Sequence, residues 1–247
     1  MRSLPRGECC AFMYRSQECF PIGPPEAFLM TFQIGLFCHE GMVLAGDTKP
    51  TEFANQMHLP EHDPVGWSTV TSKFKYDDEF NTVIAICGGP LFGEAADALL
   101  GQWDTAHPQE RIRIAQAPFK KTLTDERGGL IVVRTRERKM FRFILGAGNS
   151  STEHTSDKII QGDCATGAVL IVEHYADLKN CSLAKLKEVA AYTVWLTGQI
   201  NPRYVSGLEM IEFPFRKKAR RLAMDECADL EKQASRTDAK IQKLIMR

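Results

Sequence analysis

The stretch on which the fold turns runs Thr31-Phe-Gln-Ile-Gly-Leu-Phe-Cys38, then His39-Glu-Gly41, then Met42-Val-Leu-Ala-Gly-Asp47-Thr-Lys49. Thr31–Cys38 is rich in apolar and β-branched residues and reads as a strand, and Met42–Ala45 reads as a second. The polar His39-Glu40-Gly41 between them closes a hairpin. Downstream, residues 50–70 carry Pro50, Pro60 and Pro64 among polar positions and read as a long loop. Lys73–Lys75 and Thr82–Cys87 flank Asp77-Asp78 as a further hairpin, ended by Gly88-Gly89-Pro90. Pro90 suits the first turn of a helix over about Leu91–Trp103, with Ala95, Ala96, Leu99 and Leu100 on one face.

A helix over Gln109–Thr122 follows, then paired strands at Gly129–Arg134 and Lys139–Leu145. The apolar run Ala165–Tyr175 reads as a helix, and Ser182 is placed to cap another that continues to about Leu196. Val205–Phe213 reads as the final strand. Past Pro214 the composition changes: Arg216, Lys217, Lys218, Arg220 and Arg221 open a charged helical tail. Leu222, Cys227, Leu230, Ala234, Ile241, Leu244 and Ile245 give that tail an apolar stripe to pack on the body or on a neighbouring subunit. Upstream, residues 1–30 hold Cys9, Cys10 and Cys19 with Pro5, Pro21, Pro24 and Pro25, and have no usable periodicity. They read as a removable extension or a misplaced start. The expected organisation is thus an extension (1–30), a main domain (31–214) and a charged C-terminal helix (215–247). Strands, helices, strands, helices and a strand in that order fit an α+β or layered αββα domain rather than an alternating doubly wound one.

Composition narrows the function. Of 247 residues, 31 are Lys or Arg and 31 Asp or Glu, so the formal charge is zero and overall attraction to nucleic acid or anionic membrane is not expected. No run approaches the ~18 apolar residues of a membrane span. The eight cysteines form neither a CxxC pair nor an even framework, which disfavours a disulfide scaffold or finger-type zinc site and suits a reducing compartment. His58 and His62 stand four apart, but Pro60 between them argues against a helical metal pair. Gly146-Ala-Gly148 lacks the continuation that a phosphate-cradling loop needs. Trp67, Trp103 and Trp195 read as packing residues. No cofactor or metal is expected.

The opening hairpin resembles that of proteasome-type peptidases, within the N-terminal-nucleophile hydrolases, and particularly their bacterial HslV-like and Anbu-like members. In that family a threonine opens the hairpin as the free N-terminus, and here Met30 directly precedes Thr31. An Asp follows sixteen positions later in an Ala-x-Asp-x-(Arg/Lys) setting, matched by Asp47 and Lys49. The family's catalytic lysine, at the start of the third strand, corresponds to Lys73-Phe74, ten residues further from Asp47 than is usual. Gly162 matches the glycine region before an apolar helix, and Ser206-Gly207 a late Ser-Gly-Gly segment. The chain departs from the pattern at Arg203 (often Asp), Asp163 (often Ser) and Leu208 (often Gly).

The resemblance spans about Thr31–Phe213 and implies a four-layer αββα sandwich and a threonine-type peptidase. Its catalytic residues would be Thr31, Asp47, Lys73 and Ser206. It further implies unfolded chains or peptides as substrates, homo-oligomeric rings or stacks, an ATP-driven unfoldase as a further partner, and a cytoplasmic setting. The chemistry is coherent. A threonine hydroxyl needs a base, and its own α-amine has an ordinary pKa of about 7.7–8.0. A neighbouring ammonium would favour the neutral amine and stabilise the alkoxide, with Asp47 orienting it. Two other readings stand beside this one: a silent subunit that keeps the fold for assembly, and an N-terminal-nucleophile amidase acting on small molecules.

Overall fold

The computed structural model describes residues 31–48, 73–121, 127–146, 152–155, 157–162, 170, 172, 177–202 and 205–245. These form a mixed α/β structure with two five-stranded antiparallel sheets. The first hairpin is β1 (Gln33–Cys38) and β2 (Gly41–Gly46), joined by the two-residue turn His39-Glu40. The next is β3 (Phe74–Tyr76) and β4 (Thr82–Cys87). Its turn is built on the Asp77 carboxylate, which accepts from the backbone N–H groups of Glu79, Asn81 and Thr82. Then come α1 (Pro90–Gln102), α2 (Pro108–Lys120), β5 (Arg127–Arg134), β6 (Lys139–Gly146), β7 (Thr152–Thr155) and β8 (Lys158–Gln161). The chain continues through α3 (Leu183–Ile200), β9 (Glu209–Pro214), β10 (Arg220–Arg221) and α4 (Met224–Ile245).

The first sheet is ordered β10-β9-β2-β1-β8 and the second β3-β4-β5-β6-β7. Side-chain alternation along the strands feeds three apolar clusters. Phe32, Ile34, Leu36 and Cys38 face α3 and α4, together with Val43, Ala45 and Met210. Ile84, Leu130, Val132, Phe141 and Phe143 face α1 and α2, around the buried Trp103. Between the sheets lie Met42, Leu44, Phe74, Val83, Ala85, Ile131, Val133, Met140, Ile159, Ile211 and Phe213. The central strands β2 and β4 therefore send apolar side chains to both faces and read as nearly continuous apolar runs.

Four expectations change. The strand expected at Val205–Phe213 begins only at Glu209, because Gly207 takes a positive φ of 71° and breaks the extended run. Nor is it the last strand: Arg220 and Arg221 extend as β10 beside Glu212 and Ile211. The charged tail therefore turns helical at Met224 rather than at Arg216. Arg220 reaches Glu212 and Glu226, and Arg221 reaches Glu209, so these arginines cross the sheet edge instead of lining a helix. α3 runs past Leu196 to Ile200, with Thr197 and Gly198 buried. Its cap is Ser182, whose side chain accepts from the Lys185 N–H. Of the apolar run Ala165–Tyr175 the described residues are Leu170 and Val172, both helical. Lys49, the loop with His58, His62 and Trp67, residues 1–30, Asp163 and Arg203 lie outside the described residues.

Candidate active site

The end of β2, the entry to β1 and the entry to β3 meet at one edge of the two sheets. Thr31 precedes β1, and the register that sets Gln33 opposite Gly46 brings Asp47 beside Thr31 and Phe32. The Asp47 N–H donates to the Phe32 carbonyl at 3.1 Å, and the Phe32 N–H donates back to Asp47 Oδ1 at 2.8 Å. This reciprocal pair fixes the carboxylate. The Thr31 hydroxyl donates to the same Oδ1 at 2.9 Å.

Lys73 comes from the other sheet. Its carbonyl accepts from the Ile86 N–H at 2.9 Å, which seats it at the start of β3. Its ammonium donates to Thr31 Oγ1 at 2.7 Å and to Asp47 Oδ2 at 2.6 Å. Thr31 is 2 %, Asp47 0 % and Lys73 8 % exposed. A buried ammonium and carboxylate are tolerable only with close pairing and full hydrogen bonding, and the carboxylate here receives three donors. Thr31 Oγ1 both donates and accepts within this triangle, so a positive charge sits 2.7 Å from the hydroxyl oxygen.

Ser206, the fourth residue expected at the site, lies just ahead of β9, the strand paired with β2. Its carbonyl accepts from the Thr48 N–H at 3.1 Å and the Thr48 hydroxyl at 3.3 Å, and its side chain is exposed. It therefore buttresses the residue after Asp47 through its main chain. Gly207 makes the approach close: a Cβ there would lie 2.1 Å from Thr48 Oγ1. Gly162 presses from β8, at φ 119°, and a Cβ there would lie 1.8 Å from the Thr31 carbonyl oxygen. Only glycine fits, both in conformation and in space.

Two neighbours escape the sequence reading. Gln33 and Gln161 are buried beside this cluster and bonded to one another. A signal existed for Gln33: it is polar on the alternate face of an otherwise apolar strand. Nothing local marks Gln161, because β8 itself is short and carries no strand pattern.

No protein-family model matches the sequence, and no curated protein does. Solved structures do match. One is an Anbu (Gly-1) mutant from Hyphomicrobium sp. strain MC1, superimposing with a TM-score of 0.56 at 11% identity over 88% of this chain and 100% of that one. At that identity the likeness is one of fold. The chain is thus structurally similar to Anbu, a proteasome-like protein of the N-terminal-nucleophile type.

Proposed function

We propose that this chain is a threonine-type endopeptidase built on a four-layer αββα sandwich and active once Thr31 carries a free α-amine. The observation that carries the proposal is the 2.7 Å contact from the Lys73 ammonium to Thr31 Oγ1, with Asp47 Oδ2 at 2.6 Å behind it. The α-amine takes the hydroxyl proton as Oγ1 attacks the peptide carbonyl carbon. Lys73 stabilises the negative charge that develops on the attacking oxygen, and Asp47 keeps the site neutral overall. Backbone N–H groups of the glycines that follow β4, at Gly88 and Gly89, receive the oxyanion. The C–N bond then breaks, the amine returns its proton to the leaving nitrogen, and water releases the acyl group from Thr31.

In this reading residues 1–30 must be absent or removed, since an internal Thr31 has no amine to offer. The substrates are unfolded chains or peptides, confined by assembly of copies into a ring or stack in the cytoplasm, and an ATP-driven unfoldase would feed such a chamber. A second reading is favoured by Leu208. Only 7 % exposed, it packs into the α3–α4 core where the resembled pattern has a second glycine, as in a subunit kept for assembly alone.

Intact mass and peptide hydrolysis separate the two. The active form is expected to begin at Thr31 and to cleave unstructured peptides, with Thr31→Ala abolishing turnover while leaving the fold intact. Assembled protein that retains residues 1–30 and shows no turnover selects the silent subunit instead.

A further inference from the structure

We infer that Gln33 and Gln161 are positioning residues that hold Lys73 against Thr31 across the gap between the two sheets, an inference that rests on the peptidase reading above. Elsewhere the sheets meet through apolar side chains. At the Thr31 end that packing gives way to an amide relay. The Gln33 Nε2 donates to the Ile86 carbonyl at 2.6 Å, and Gln161 Nε2 donates to Gln33 Oε1 at 2.5 Å and to the Gly129 carbonyl at 3.4 Å. Gln33 and Gln161 belong to the first sheet, Ile86 and Gly129 to the second.

Each end of the relay is one step from a reacting group. Ile86 accepts from Gln33 through its carbonyl and donates through its N–H to the Lys73 carbonyl at 2.9 Å. Gln33 lies two residues after Thr31 and opposite Gly46, which precedes Asp47. Gln161 precedes Gly162, the residue pressed on the Thr31 carbonyl. The relay therefore connects the strand carrying Thr31 to the strand carrying Lys73 by a path of two hydrogen bonds.

Its direction is dictated by chemistry. The Ile86 carbonyl can only accept, so Gln33 must turn its NH2 there and its oxygen to Gln161, which must then present its own NH2. The remaining acceptor, Gln161 Oε1, has no partner among the described residues. Buried orphan acceptors are costly, and apolar residues in both places would pack without that cost. Room for the relay is supplied by Gly129, where a Cβ would stand 2.9 Å from Gln161 Oε1. Stability alone does not account for such an arrangement, whereas fixing one sheet's lysine on the other sheet's threonine does.

The test uses protein whose N-terminus is Thr31. Gln33→Met and Gln161→Met keep side-chain length and remove the relay. For each, kcat and KM for peptide hydrolysis are measured beside urea unfolding, with active sites counted by an electrophile that acylates Thr31. The expected result is a fall in kcat per active site of at least about tenfold, since a misplacement of about 1 Å costs up to 10²-fold. KM is expected to stay within about twofold. An unchanged kcat per active site in both variants, or a rise in KM alone, overturns the inference. Thr31→Ala runs alongside: if it retains turnover, the peptidase reading itself has failed, and if it is dead while both glutamine variants are unimpaired, only the positioning role has.

Discussion

Thr31, Asp47 and Lys73 form a closed triangle whose members depend on one another for stability as well as chemistry. Asp47 is fully buried, and its removal leaves the buried Lys73 ammonium without its countercharge. Asp47→Ala is expected to cost about 3–5 kcal/mol in urea unfolding, the range for breaking a buried pair from one side. The double variant Asp47→Ala/Lys73→Met should recover much of that loss while remaining inactive. A double variant no more stable than Asp47→Ala would mean that the pair is not energetically coupled. For turnover, Lys73→Ala is expected to lower kcat about 10²–10³-fold, as removal of a single transition-state stabiliser does. Gly162→Ala tests the backbone contact: its Cβ has 1.8 Å to the Thr31 carbonyl and a φ of 119° that alanine rarely adopts. It should displace Thr31 and abolish hydrolysis even in the fraction that folds, which active-site titration reads directly.

At the scale of elements, α4 is joined to the sheet edge by charge. Glu226 sits in the helix's first turn, where it accepts from the Ala223 N–H at 3.0 Å and takes both terminal nitrogens of Arg220. The Arg220 hydrogen bonds, then the Ala223 N–H, hold its carboxyl down at about 2, below the ordinary 4.5. The sign follows: a depressed folded-state pKa gives stability that is complete above about 4.5 and is lost as the pH falls toward about 2. The gain is modest, because the side chain is 38% exposed and solvent screens it. Glu226→Gln should therefore weaken α4 at pH 7, seen as faster amide exchange along the helix, and differ little from the parent near pH 2. A difference that persists unchanged at pH 2 would mean that shape rather than charge docks the helix. On α4's inner face, Cys227 is pushed up to about 11 by burial and the nearby Glu231 charge, so its thiol behaves as a small hydrophobe.

For the molecule as a whole, the inter-sheet core is the part on which site geometry depends, since Asp47 and Thr31 belong to one sheet and Lys73 to the other. Leu44 is fully buried there. Leu44→Ala is expected to cost about 2–5 kcal/mol, the range for a buried leucine truncated in a core that only partly collapses. Among the described residues no helix is long and apolar enough to cross a membrane.

What the residues alone determined was local. The Thr31–Asp47 hairpin, the Asp77 turn, the Ser182 cap and the apolar face of α1 are legible because periodicity, capping and turn chemistry act over a few positions. Thr31 and Asp47 were linked through the resemblance, and the two-residue turn whose register sets them side by side is a feature of the structure. Lys73 was found through resemblance, because the loop between it and Asp47 carries no geometric information of its own. Only the tertiary structure decided which partners meet across the sheets. β8 exists because β1 offers it a ladder, not because Lys158–Gln161 has a strand pattern. Ser206 acts through its carbonyl because Gly207 turns the chain onto Thr48, and Gln33 and Gln161 acquire a role only when Ile86 and Gly129 arrive opposite them. Contacts between segments far apart in the chain are fixed by packing of whole faces, and no short window of sequence contains the information that selects them.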